Sequence, residues 1–309
     1  MNRKLIAALL ALALLLTLCA CAPAGNAPQN TATFTDDLGH EVTLSSWAHV
    51  AAPQSSFAQL WMLAGGEVYA TSADALGEGI VDFPEDIVDL GSVKTPSVET
   101  MISAGVDFAL LSADLSAHVE LYDTLTASGI PCAYLDVETF DDYLRALKLL
   151  TNLTGRDDLY QQNGEQIQAR IDAAIARREG HDAPTVLLLR AYSSGVKAKG
   201  SDNMAGAMLQ DMGCVNIADS DDSLLENLSM EVIIQRDPDY IFVTTMGESD
   251  EAALQSVEDT LMSNPAWAQL SAVKNNRYYV LPKDLFHLKP NDRWGESYEK
   301  LADILYGEE

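Results

Sequence analysis

Positive charge is scarce in this chain: 19 Lys and Arg stand against 46 Asp and Glu, a formal net charge of −27. So acidic a surface argues against nucleic acid or an anionic membrane face as a direct partner, since both would repel it. Histidine is sparse as well. His40, His49, His118, His181 and His287 are scattered, with no pair at i, i+4 and no adjoining set of carboxylates. Those spacings do not suit zinc or manganese, and neither a resident metal nor a cofactor is expected. His-Glu-x-x-His, Gly-x-Ser-x-Gly and phosphate-loop sequences do not occur, so no catalytic residue is assigned and the chain is not read as an enzyme. Long apolar runs are missing apart from Leu5 to Leu18, which at 14 residues is shorter than the ~20 needed to span a bilayer.

What surrounds that run is informative. Arg3 and Lys4 precede it and Leu18-Cys19-Ala20-Cys21 closes it, giving a basic segment, an apolar segment and a small residue before a cleavage point. The closing tetrapeptide resembles a bacterial lipobox, which implies removal of residues 1–20 and lipidation of Cys21; an ordinary secretory signal is the alternative. The chain is therefore expected outside the cytoplasm, lipid-anchored to the cell membrane. Residues 21–33, with Pro23, Gly25, Asn26, Pro28 and Asn30, have almost no bulky apolar side chain and read as a flexible tether. Cys132 and Cys214 are the thiols left in the body, and both are read as small buried hydrophobes rather than as a disulfide.

The body is large for one core and divides into two lobes. Short β-rich apolar runs alternate with helical patterns, the sign of parallel βαβ units. Strands are expected at Val50–Ala52, Val68–Thr71, Phe108–Leu111, Cys132–Val137, Val186–Leu189, Tyr240–Thr244 and Tyr278–Leu281. Between the two sets, Phe140, Tyr143, Leu147 and Leu150 keep a helical spacing up to Gly155, and a second helical run extends from Asp157 to Glu179. The expected fold is α/β: two Rossmann-like lobes with parallel sheets, residues 34–138 and 183–309, joined through a connector at 139–182 by a long rigid helix, with a ligand cleft between the lobes. A helical connection limits hinge closure.

In their order, several segments resemble one family. Thr35-Asp36-Asp37-Leu38-Gly39-His40-Glu41-Val42 opens the first lobe. Asp89-Leu90-Gly91-Ser92, Ser97-Val98-Glu99-Thr100-Met101-Ile102 and Gly105-Val106-Asp107-Phe108 follow it. The second lobe repeats the theme as Leu228-Ser229-Met230-Glu231-Val232-Ile233-Ile234 and Asp237-Pro238-Asp239-Tyr240, and Asn264-Pro265-Ala266-Trp267 lies near the end. The chain is identified as resembling the helical-backbone substrate-binding proteins of ABC importers for iron chelates, haem and cobalamin. The resemblance implies a monomeric carrier that serves an ABC permease and its ATPase, with Glu99 and Glu231 docking on permease arginines. Read locally, each glutamate is also an ordinary acidic residue in a first helical turn.

Ligand contacts in such folds come from loops at the strand ends that face the other lobe. On the first lobe this selects Gln54, Ser55, Ser56 and Asp74. Here Pro53-Gln54-Ser55-Ser56-Phe57-Ala58-Gln59 departs from the family's Ser-Pro-Ser-x-x-Glu, so ligand identity does not carry over. On the second lobe it selects Tyr192, Lys197 and Lys199, then Lys283, Phe286, His287, Lys289, Arg293 and Trp294, while Asp202 is expected to cap a helix near Asn203. In a chain so short of cations, this basic group either offsets nearby acids or meets the oxygens of an anionic chelate. Phe286 and Trp294 are read as an apolar wall or as core, and His287 as inert or as a ligand to haem iron. A ferric siderophore is the first ligand class, haem or cobalamin the alternative, and a tethered sensor without transport the alternative of another class.

Overall fold

The computed structural model describes residues 31–247 and 249–307; the signal, Cys21 and most of the tether lie outside them. Each lobe is built on a five-stranded sheet. In the first, β5 (Val88–Asp89), β4 (Val68–Thr71), β3 (Val50–Ala51), β6 (Phe108–Ser112) and β7 (Cys132–Leu135) pair in that order, all parallel. In the second, β10 (Val215–Asn216), β8 (Thr185–Tyr192), β11 (Tyr240–Thr245) and β12 (Tyr278–Val280) are parallel, and β9 (Gly195–Lys199) folds back antiparallel on β8.

Strands covered on both faces must be apolar at nearly every position. Leu187, Leu189, Ile241 and Val243 point to the outer layer of the second lobe, whereas Val186, Leu188, Tyr240 and Phe242 point inward. In the first lobe Ala109 and Leu111 face outward and Phe108 and Leu110 inward. Both inner faces belong to one core, closed by Phe140, Tyr143, Leu147, Ile167 and Ile171 of the connector and by Trp294, Tyr298 and Leu301 of the last helix.

The connector is two helices. Phe140–Thr154 starts at Thr139 with a reciprocal cap to Asp142 and stops at Gly155, whose φ of 71° only glycine adopts freely. The second rod runs from Asp157 through a π-helical turn at Gln161–Glu165 to Ala176, so it is shorter than expected and ~30 Å long. At the π turn, Asn163 donates to the Leu63 carbonyl at 2.8 Å and its own carbonyl accepts from the Tyr143 hydroxyl at 2.8 Å.

Several expectations are corrected. Ala32 and Thr33 are not tether but part of β1 (Ala32–Thr35), paired antiparallel with β2 (Glu41–Leu44). Asp36 fastens the turn between them by accepting from the amides of Leu38, His40 and Tyr134. The second sheet is mixed, because β8 and β9 form a hairpin. Asn203, not Asp202, is the N-cap of the Met204–Asp211 helix. Cys132 and Cys214 are free and buried, and burial pushes their thiols up to about 11 and about 12. Among the described residues no helix is long and apolar enough to cross a membrane.

That same helix passes tightly over the loop that follows β9. A Cβ on Gly206 would sit 2.0 Å from the Gly200 carbonyl oxygen, a backbone atom that cannot rotate away. Overpacking of this kind costs ~1–3 kcal/mol, more than the ~1 kcal/mol of helix propensity an alanine would add. Gly206→Ala is therefore expected to lower the thermal unfolding midpoint by about 2–4 °C or more; a raised midpoint would contradict the packing.

Candidate functional site

The C-terminal ends of both sets of parallel strands face a gap between the lobes. A cavity of about 690 Å³ lies there, lined by Ala73, Asp74 and Glu78 after β4 and by Met246, Gly247, Lys283 and His287 after β11 and β12. Beside it a cavity of about 300 Å³ is lined by Gln59, Glu78, Asp284, Lys289 and Arg293. A third, between Gln166–Ala176 and the last helix, has its charges consumed by the pairs Arg170–Glu299 and Arg177–Asp303, both at 2.8 Å.

On the first-lobe wall, Gln54 is the N-cap of the Ser55–Leu63 helix, and its Oε1 is buried without a partner. Ser55 and Ser56 are themselves buried and already engaged. The Ser55 hydroxyl donates to the Glu78 carboxylate, while the Ser56 carbonyl accepts from Asn291 Nδ2 at 2.8 Å across the lobe boundary. Asp74 lines the larger cavity and accepts from the Val93 amide at 2.5 Å.

The second-lobe wall carries the cations, though not all those expected. Lys283 lines the larger cavity and donates to the Gly247 carbonyl at 2.5 Å. Lys289 crosses to the other lobe, donating to the Val137 carbonyl at 2.5 Å and lying 3.3 Å from Glu138 and 3.5 Å from Asp114; its side chain is only 11% exposed. Arg293 grips Glu296 through two bonds of 2.8 and 2.9 Å and Asp284 through a third of 2.5 Å, and these carboxylates raise its pKa. Lys289 and Arg293 thus balance acids. Tyr192 ends β8 at the hairpin, and Lys197 is exposed opposite Arg190. Lys199 pairs with Leu188, farther from the cleft edge.

Of the two readings open for Phe286 and Trp294, wall or core, both residues take the second. Phe286, at the end of the short Lys283–Phe286 helix, and Trp294, at the start of the last helix, have no exposed surface, and the Trp294 ring meets Phe140 edge-on at 5.9 Å. Sequence reasoning missed Arg190 and Glu78. Arg190 lies toward the end of β8 with Nε buried and unpartnered, and its charge bears on His287. A lone arginine closing the run Val186 to Leu189 was the available signal, since charge is expensive at a buried strand end.

His287 records the local field. Its Nδ1 is buried without a partner, and burial, then the charges of Arg190, Lys283 and Lys289, push its pKa down to about 4 against a small opposing effect of Asp250. A histidine held neutral in the fold binds fewer protons than it does unfolded, so its contribution to stability is complete above the unfolded pKa of ~6.5 and fades as pH falls toward 4. Ring-proton NMR of the ligand-free chain is expected to place this titration near 4, and His287→Gln to flatten the loss of stability between pH 6 and 4. A midpoint near 6.5 would contradict the field described.

The chain is 22% identical over 200 residues to the Fe(3+)-citrate-binding protein YfmC of Bacillus subtilis (strain 168), covering 64% of this chain and 61% of that protein, so it spans under two thirds of that relative's length. Among solved structures, Staphylococcus aureus SirA complexed with staphyloferrin B superposes with a TM-score of 0.67 at 19% identity, over 89% of this chain and 97% of that one. S. aureus IsdE complexed with heme superposes with a TM-score of 0.67 at 14% identity, over 84% of this chain and 98% of that one. At such identities the structures establish the fold alone. The family model described as periplasmic binding protein matches residues 50–285, most of the chain, and on that match the chain belongs to the periplasmic binding protein family.

Proposed function

We propose that this chain is an extracytoplasmic lipoprotein that captures a ferric chelate between its lobes and delivers it to an ABC permease and its ATPase. It acts by binding, and ATP hydrolysis belongs to the partner. The observation that carries the reading is the cavity lined from both lobes at the strand ends, with Lys283 and His287 on one wall and Arg190 behind them. Asp74 and Glu78 form the opposite wall, so the gap suits a chelate with carboxylate oxygens toward the second lobe and hydroxyl donors toward the first. The family match and the iron-citrate relative support this ligand class. Haem is the second reading, favoured by the free Nδ1 of His287.

A charge-assisted hydrogen bond contributes ~1.5–3 kcal/mol, and 1.4 kcal/mol is tenfold in affinity. Titration with ferric citrate, haemin and cobalamin, followed by tryptophan fluorescence, is expected to show saturable binding of ferric citrate that weakens tenfold or more in Lys283→Ala and in Arg190→Ala. Haemin binding lost in His287→Ala would move the assignment to haem, and no binding of any of the three at micromolar concentration would overturn the ligand class.

Glu99 and Glu231 are the docking residues in this reading. Both are exposed in the first turns of their helices, and neither forms an ion pair among the described residues. The anchor rests on the tetrapeptide ending at Cys21. Cys21→Ala is expected to move the chain from the membrane fraction to the soluble extracytoplasmic fraction or to leave it unprocessed; unchanged fractionation with no lipid on the parent chain would remove the anchor.

A further inference from the structure

The helices that carry Glu99 and Glu231 occupy equivalent places in the two lobes. Val98–Ala104 lies between β5 and β6, and Met230–Arg236 between β10 and β11; β6 and β11 each pair with the central strand of their sheet, β3 and β8. Each helix leads into the start of the strand that follows it, β6 or β11, so its first turn is the end farther along the chain from that strand. Each helix is capped by a serine, Ser97 or Ser229, whose hydroxyl accepts from the amide three residues on. The shared pattern goes one step further than the glutamate, reading Ser-x-Glu-x-x-Ile in both lobes.

Met101 and Ile233 turn inward and are fully buried, whereas Ile102 and Ile234, next in the chain, are 52% and 41% exposed. Residues three apart on a helix share a face, so each isoleucine stands one turn beyond its glutamate on the outer side. A single exposed isoleucine is ordinary. The same exposed isoleucine at the same distance from the same exposed acid, on both lobes, calls for a common contact.

We propose that Glu99 with Ile102 and Glu231 with Ile234 form two matching contacts for a membrane partner that offers two equivalent surfaces, each a cationic group beside an apolar recess. This rests on the docking reading above and adds its apolar half. Charge selects the occupant: a second copy of a chain with net charge −27 would set acid against acid, and an anionic lipid face would be repelled as well. The acid steers and registers the encounter, while burial of the isoleucine slows dissociation.

The test uses the whole lipidated chain and its cognate permease–ATPase complex in nanodiscs, with affinity read by biolayer interferometry. Ile102→Ser and Ile234→Ser are each expected to weaken docking about tenfold through faster dissociation, with the thermal midpoint unchanged, and Ile102→Val to retain docking. If the double serine variant docks within twofold of the parent while Glu99→Lys with Glu231→Lys abolishes docking, the docking reading stands and this inference falls. If neither pair of changes matters, both fall. Self-association of the parent chain in sedimentation velocity that Ile102→Ser abolishes would assign the surface to a second copy and overturn the proposal.

Discussion

The inner faces of the two sheets do not close separate cores; they share one with the connector. Phe140 and Tyr143 of the first connector helix, Ile167 and Ile171 of the second, and Trp294 and Leu301 of the last helix are buried together with Phe108 from one lobe and Phe242 from the other. Interiors packed this densely respond to displacement by discrete repacking rather than smooth deformation. A large swing of one lobe would shear all these contacts at once. The cavity geometry is therefore largely set by the fold, and the ion pairs between the connector and the last helix, whose carboxylates are exposed, add little to that constraint.

Given that frame, the chemistry of the gap follows from where the few cations are placed. Arg145, Arg156 and Arg236 sit in surface pairs, and Lys289 and Arg293 balance carboxylates near the cleft. Lys283 and Arg190 have no carboxylate partner among the described residues, and with the neutral His287 they leave one wall of the cavity positive. The other wall keeps Asp74 and Glu78, so an otherwise acidic molecule holds a polarised pocket.

The strands of the two sheets were legible where they are buried on both faces, since Val186 to Leu189 and Tyr240 to Thr244 then read as unbroken apolar runs. Two-residue strands such as Val88–Asp89 and Val215–Asn216 are too short to have a period, and β9 alternates lysine with small residues and passes for a loop. Asp74, Lys283 and His287 line the cavity because a residue just past a strand end is placed there by topology alone. Arg190 lay just past the apolar run and belongs to β8, which continues to Tyr192, so its side chain carried no loop signal. Phe286 and Trp294 stayed open between wall and core because an aromatic after a strand fits either, and only the packing of the two short segments that carry them decides.

Lys289 reaches across the lobe boundary into oxygens of Val137, Glu138 and Asp114. Parting the lobes by a few ångströms would return this ammonium and both carboxylates to water together, so the narrow gap is an electrostatic ground state as well as a packed one. Dissolved ions act mainly on the parted form, whose charges are exposed, and they shorten the range of the attraction that draws it back to ~8 Å at physiological ionic strength. Within a boundary otherwise held by apolar packing, the Lys289 contact is thus the part that answers to ionic strength.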